Sequence, residues 1–291
     1  MIKIKFMVIL FLLLFCQGQL CPANTSNEFF VYSGLGLSIR DVDYRNRFNV
    51  YYGTGWSGEQ DIQYKNALRY GIGGGFVHWF SPHWGIQVFG HYQPSLLNFK
   101  SESVHIQYTY ASWSPILPFP EIEVDKTFNS PEPPSGTYKQ LCMGLNCTLR
   151  FDVPPLRLSL SGGPCLYRIF DGELADLYFQ NSMQISRGGI ITSKGLVTAE
   201  MDSRTQLGAN LGMRAQLPLS NVLHLFLDCR YYYCPKTDIK LNFTGVEEID
   251  FFHHANTPGE IEPLLELKPI QLEPSFFCLC VGLSIIFSGS Q

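Results

Sequence analysis

The residues able to do chemistry in this chain are few and scattered. There are seven histidines, at positions 78, 83, 91, 105, 224, 253 and 254, and nine cysteines. Proton transfer or nucleophilic catalysis needs a histidine beside a hydroxyl or a carboxylate. His224 has Asp228 four residues on, and His91 stands in another extended segment. Glu247, Glu248, Asp250, His253 and His254 have ligand types for a metal, although an exposed acidic loop explains them as well. Cys278-Leu-Cys280 lacks zinc spacing and has no histidine beside it. Gly71 to Gly75 is not a phosphate loop, because no helix follows it. The most coherent set is ionic: Arg69, Arg150, Arg157, Arg204, Arg214 and Arg230, with Asp228, His91 and His224, all fall on the polar side of alternating segments.

Those segments are what must position the set. Each alternates apolar with polar or small residues, the pattern of a strand with two unlike faces. The last is clearest. Phe277, Leu279, Val281, Leu283, Ile285 and Phe287 share one face, and Cys278, Cys280, Gly282 and Ser284 the other. Eight strands are predicted, over 28–40, 66–80, 84–98, 138–151, 156–169, 204–217, 222–234 and 271–287. Short turns alternate strictly with long connections at about 41–65, 99–137, 170–203 and 235–270. Short turns on one side and long loops on the other describe a transmembrane β-barrel. The fold class expected is all-β, an antiparallel eight-stranded barrel with four long extracellular loops and short periplasmic turns. Residues 41–65 or 99–125 could supply an extra hairpin, giving ten strands.

Composition agrees. Charged residues are 16%, aromatics 14% and glycines number 26, in a chain of 291 residues with a formal charge of −4. An acidic balance excludes a general nucleic-acid binder. Lys3 and Lys5 precede an apolar run from Phe6 to Phe15. That run is too short to span a bilayer, which takes about 20 residues, and suits a signal peptide. Residues 1–23 are read as that leader and 24–291 as the barrel. Losing both lysines from 21 basic residues, against 25 acidic, makes the mature charge −6.

Register can be attempted. Phe80 opposite Trp84 sets Ile72 against Tyr92 and Phe76 against Val88, with Gly75 facing Phe89 and Gly73 facing His91 on the other side. Phe151 opposite Leu156 sets Cys142 against Cys165, within disulfide reach. A bond there is one reading, and two reduced thiols filling the interior is the other. Cys147 and Cys229 fall on the apolar face. Eight strands leave an interior that side chains fill, so the arginines are expected in a polar network with Asp228, with Glu28 and Asp152 at the rim.

The chain resembles the small outer-membrane β-barrels of Gram-negative bacteria, of the OmpA-transmembrane-domain or OmpX type. The carriers are Tyr-Ser-Gly-Leu-Gly-Leu-Ser at 32–38, Tyr-Gly-Ile-Gly-Gly-Gly-Phe at 70–76, and the turn from Phe80 to Gly85. Gly282, Ile285 and Phe287 are similar to the terminal signal read by the barrel-assembly machinery, although Ser288–Gln291 follow the aromatic. The cysteine count resembles the cross-linked envelopes of chlamydiae. The resemblance implies outer-membrane lipid and the assembly machinery as partners, and a ligand or host factor at the loops. It implies no cofactor. The expected role is structural or surface-interacting and not enzymatic. A narrow channel and a lipid-modifying enzyme are the alternatives, and a secreted lipocalin is the soluble one.

Overall fold

In a computed structural model, residues 26–38, 40–50, 57–67, 69–111, 121–184, 190–250 and 258–288 are described. The predicted leader, residues 1–23, lies outside them. The strands in chain order are β1 (Ser26–Ser38), β2 (Val42–Phe48), β3 (Gly58–Asn66), β4 (Arg69–Trp79), β5 (Trp84–Ala111), β6 (Glu121–Phe128), β7 (Ser135–Val153) and β8 (Leu156–Gln184). They continue with β9 (Ile190–Met201), β10 (Arg204–Pro218), β11 (Leu223–Tyr233), β12 (Thr237–Ile239), β13 (Leu241–Asp250), β14 (Leu265–Glu266), β15 (Ile270–Leu272) and β16 (Phe276–Ser288).

Eight of these are the predicted strands, and their antiparallel ladders run in a cycle. β1 pairs with β4, β4 with β5, β5 with β7 and β7 with β8. β8 pairs with β10, β10 with β11, β11 with β16, and β16 with β1 again. Each strand of the cycle thus has a neighbour on both sides, so no edge is left to template aggregation.

Alternation sorts the side chains. On β16, Phe277, Leu279, Val281, Leu283, Ile285 and Phe287 point outward and are exposed, while Cys278, Cys280, Ser284 and Ile286 are buried inside. β10 does the same, with Leu207, Leu211, Met213 and Leu217 outward and Asn210, Arg214 and Gln216 inward. The β4–β5 register is the predicted one: Ile72 faces Tyr92, Phe76 faces Val88, Gly75 faces Phe89 and Gly73 faces His91. Rings cluster at both ends of the outer face. Phe80 stacks on Trp84 at 4.7 Å by the short turns, and Tyr231 meets Phe277 at 4.8 Å towards the long connections.

The β7–β8 register differs from expectation. Val153 pairs with Leu156, so Phe151 meets Leu158 and the whole ladder slips by two residues. The turn is tighter than the four residues Asp152–Pro155, because Asp152 and Val153 already pair across it.

The long connections are built, not loose. β5 and β8 run on past the cycle, and their extensions carry two flanking sheets. β3 pairs with the upper part of β5, and β2 with β3. β9 pairs with the upper part of β8, and β13 with β9. β6 pairs with the far end of β5. β12 and β15 form a two-stranded piece, and a helical turn spans Pro258–Ile261. A second apolar core holds this cap together, including Val42, Phe48, Ile62, Leu177, Phe179, Val197 and Ile270.

Candidate functional site

Inside the cycle four charges pair with each other. Arg214 Nε donates to Asp228 Oδ2 at 3.1 Å, and its Nη1 lies 3.5 Å from Glu28 Oε1. Arg230 Nη2 donates to the same Asp228 oxygen at 3.2 Å and to Ser161 Oγ at 2.9 Å, while its Nη1 donates to Asn210 Oδ1 at 2.6 Å. Glu28 also accepts from Trp79 Nε1 at 3.1 Å and from Gln216 Nε2. Asn146 bridges Gln87 and Asn210. Two arginines against two carboxylates leave no net charge, which is how buried ions are tolerated. Alternation alone places these side chains, since each lies at an inward position of its strand. The Arg214 guanidinium is held further by the rings of Phe30 and Phe226, whose centroids lie 4.1 and 4.2 Å from Cζ.

Above this layer lies a plate of rings. Tyr32 stacks on His91 at 5.7 Å, His91 on Tyr232 at 5.2 Å, and Tyr232 on Phe276 at 4.5 Å. The Tyr32 and Tyr232 hydroxyls are 3.3 Å apart, and His91 Nε2 engages Gln93 Oε1. Glycine makes room for such rings. A Cβ on Gly75 would lie 2.2 Å from the Val88 carbonyl oxygen, and one on Gly282 would lie 2.4 Å from the Phe226 ring.

The predicted network is therefore smaller and differently composed. Arg214, Asp228 and Arg230 form it, and Glu28, read as a rim residue, is its second acid. Arg204 is exposed at the outer end of β10 and takes no part. Arg157 sits at the short-turn end, 3.6 Å from Asp152. Arg150 is at the same end, donating to the Pro82 carbonyl and lying over the Trp79 ring. His91 belongs to the aromatic plate. His224 is buried on β11, but Asp228 is taken by the two arginines and gives it no hydrogen bond. Arg69 is inside, yet among the described residues it joins no ion pair.

All seven cysteines among the described residues are free thiols. The slipped register sets Cys142 against Tyr167 and Cys165 against Gly144, so the two are diagonal neighbours and not directly opposite, and their free thiols remain in hydrogen-bond contact. Cys147 and Cys229 face outward, and Cys234, Cys278 and Cys280 line the interior. Gly282 points inward, and Ile285 and Phe287 point outward on the last strand.

Of the candidate metal ligands, Glu247, Glu248 and Asp250 end the edge strand β13, while His253 and His254 lie outside the described residues. Among the described residues no group of three or more histidine, cysteine or acidic side chains is placed to hold a metal. The cap surface is laced with ion pairs. The Asp61 carboxylate, by hydrogen bond and charge, holds Arg45 above its ordinary value, and Asp41 does the same to Lys100. Such exposed pairs contribute little.

No family model matches the sequence, and no curated protein matches it. Several solved structures are similar in shape. Outer membrane protein OprG from Pseudomonas aeruginosa aligns over 91% of this chain and 98% of its own, at 10% identity and a TM-score of 0.44. A major outer membrane protein from Thermus thermophilus covers 90% and 99%, at 11% identity and 0.38. The attachment invasion locus protein Ail of Yersinia pestis covers 91% and 99%, at 11% identity and 0.32. These scores are all below 0.5.

Proposed function

We propose that this chain is a bacterial outer-membrane β-barrel, closed by its eight cyclically paired strands, with a filled interior and a folded external cap that serves recognition or envelope structure. The carrying observation is that the wall is inverted. Phe, Leu, Val and Ile face outward around the cycle, and Glu28, Arg214, Asp228 and Arg230 face inward. In water that exterior would be an apolar patch far larger than soluble proteins tolerate. In lipid it is the required face, and cyclic pairing leaves the wall without an open edge. No described helix is long and apolar enough to cross a membrane.

The distribution of acids supports the recognition role. Within the membrane-spanning part of the eight strands only Glu28, Asp152 and Asp228 are acidic, and the remaining carboxylates fall in the cap connections. Function thus has its chemistry on the cap, where a rigid scaffold holds connections in place. The test is electrophoresis of the outer-membrane fraction with and without heating. A folded barrel resists detergent and changes mobility on boiling. Recovery in the soluble fraction without a shift would overturn the reading and favour a lipocalin-like secreted protein.

A further inference from the structure

We propose that Arg69 is the cationic base of a binding site for a small oxyanion, a carboxylate or a phosphate, where the interior meets the cap. Arg69 opens β4 with its side chain turned inward and is 7% exposed. Its Nε and Nη2 are shielded and have no hydrogen-bond partner among the described residues. These two N–H groups form one edge of the guanidinium, the edge that receives both oxygens of a carboxylate or phosphate in parallel. No described ion pair includes Arg69, whereas the other deeply buried arginines, Arg214 and Arg230, share Asp228 and Glu28.

The surroundings offer polarity without charge. Tyr138 lies beneath the guanidinium, its ring centroid 5.6 Å from Cζ. Ser95 pairs with Tyr138 across the β5–β7 ladder and shares a side-chain hydrogen bond with it. Gln140, one step below, is buried too. Hydroxyls and amides can support an anion but cannot neutralise an arginine, and an arginine does not shed its proton. A buried, unpaired cation is costly, and a bound oxyanion supplies both the charge and the two missing acceptors. The site does not depend on the identity of the cap's partner.

Free phosphate and a lipid headgroup present the same chemistry, so the experiment separates them. The full chain, folded in maltoside micelles, is titrated calorimetrically with inorganic phosphate at constant ionic strength, and in a second arm with a short-chain phosphatidylglycerol. Saturable one-to-one binding is expected, at least tenfold weaker in Arg69→Lys, which keeps the charge and loses the fork, and absent in Arg69→Gln. Arg69-dependent binding in the phosphate arm assigns a free anion, and in the lipid arm alone it assigns the headgroup. Binding in neither arm, or binding unchanged in the variants, overturns the proposal. If Arg69→Gln does not fold, the ratio of wild type to Arg69→Lys decides it.

Discussion

Arg214 Nη2 lies 3.0 Å from Asp228 Oδ2, with both side chains almost fully shielded from solvent. Asp228 is also the ion-pair partner of Arg230, so one carboxylate compensates two cations and Glu28 supplies the rest. Asp228→Asn keeps the shape and removes the charge. Leaving a buried pair half-made costs about 3–5 kcal/mol. The denaturant midpoint of the heat-modifiable form should fall accordingly, and the double variant Asp228→Asn with Arg230→Gln should recover part of the loss. A single variant as stable as wild type would show that water, not Asp228, balances the arginines.

The same layer predicts a closed interior. Arg214 is clamped between Phe30 and Phe226, and the plate of Tyr32, His91, Tyr232 and Phe276 lies across the path above it. Eight-stranded walls leave room for side chains and little more. Wild-type protein in planar bilayers should show no conductance steps above baseline, and Tyr232→Ala combined with Phe276→Ala should introduce small ones. Regular wild-type openings would instead favour a narrow channel.

Cys142 and Cys165 show where sequence reasoning stops. The eight strands were legible because their two faces meet opposite environments, so period two is written plainly into Phe277–Phe287 and Leu207–Leu217. The face was legible, and the register of β4–β5 too, because a single tight turn brackets it. In β7–β8 a slip of two residues keeps every side chain on its face, so nothing in the pattern separates Phe151–Leu156 from Phe151–Leu158. Stagger hides the rest: whether Glu28 or Arg204 is inside depends on how far each strand rises, and Glu28 went in while Arg204 stayed out. The cap hairpin β2–β3 falls where residues 41–65 offered an extra hairpin, and the pattern left it open because Asn46 and Gln60 interrupt its apolar faces. Both are free thiols, so mobility on non-reducing gels should be the same for wild type, Cys142→Ala and Cys165→Ala. A mobility change removed by either substitution would restore the disulfide.

Gly75 and Gly90 should respond oppositely to alanine. A Cβ on Gly75 would strike the Val88 carbonyl oxygen at 2.2 Å and Phe89 Cα at 2.8 Å, backbone atoms that cannot turn aside. A Cβ on Gly90 meets nothing within 4 Å and points outward. Overpacking costs about 1–3 kcal/mol or more, so Gly75→Ala should lower the unfolding midpoint or stop assembly. Gly90→Ala should stay within about 0.5 kcal/mol of wild type. Equal behaviour of the two would place the stated register in error.

The cap should loosen in alkali before the barrel does. Tyr44 and Tyr64 are buried in its core, and their hydroxyls have no hydrogen-bond partner among the described residues. Burial pushes both phenols well above their ordinary value, while in an opened cap they ionise near pH ~10. A raised folded value means that cap stability is fully present below that pH and is lost as pH climbs past it. Cleavage in the cap by an alkaline-active protease should therefore rise above pH ~10 while the heat-modifiable mobility persists. Tyr44→Phe with Tyr64→Phe removes two unsatisfied hydroxyls, each worth about 1–3 kcal/mol when left unmade, so the variant should be at least as stable at neutral pH and should resist cleavage to higher pH. An unchanged pH midpoint in that double variant would mean that other groups open the cap.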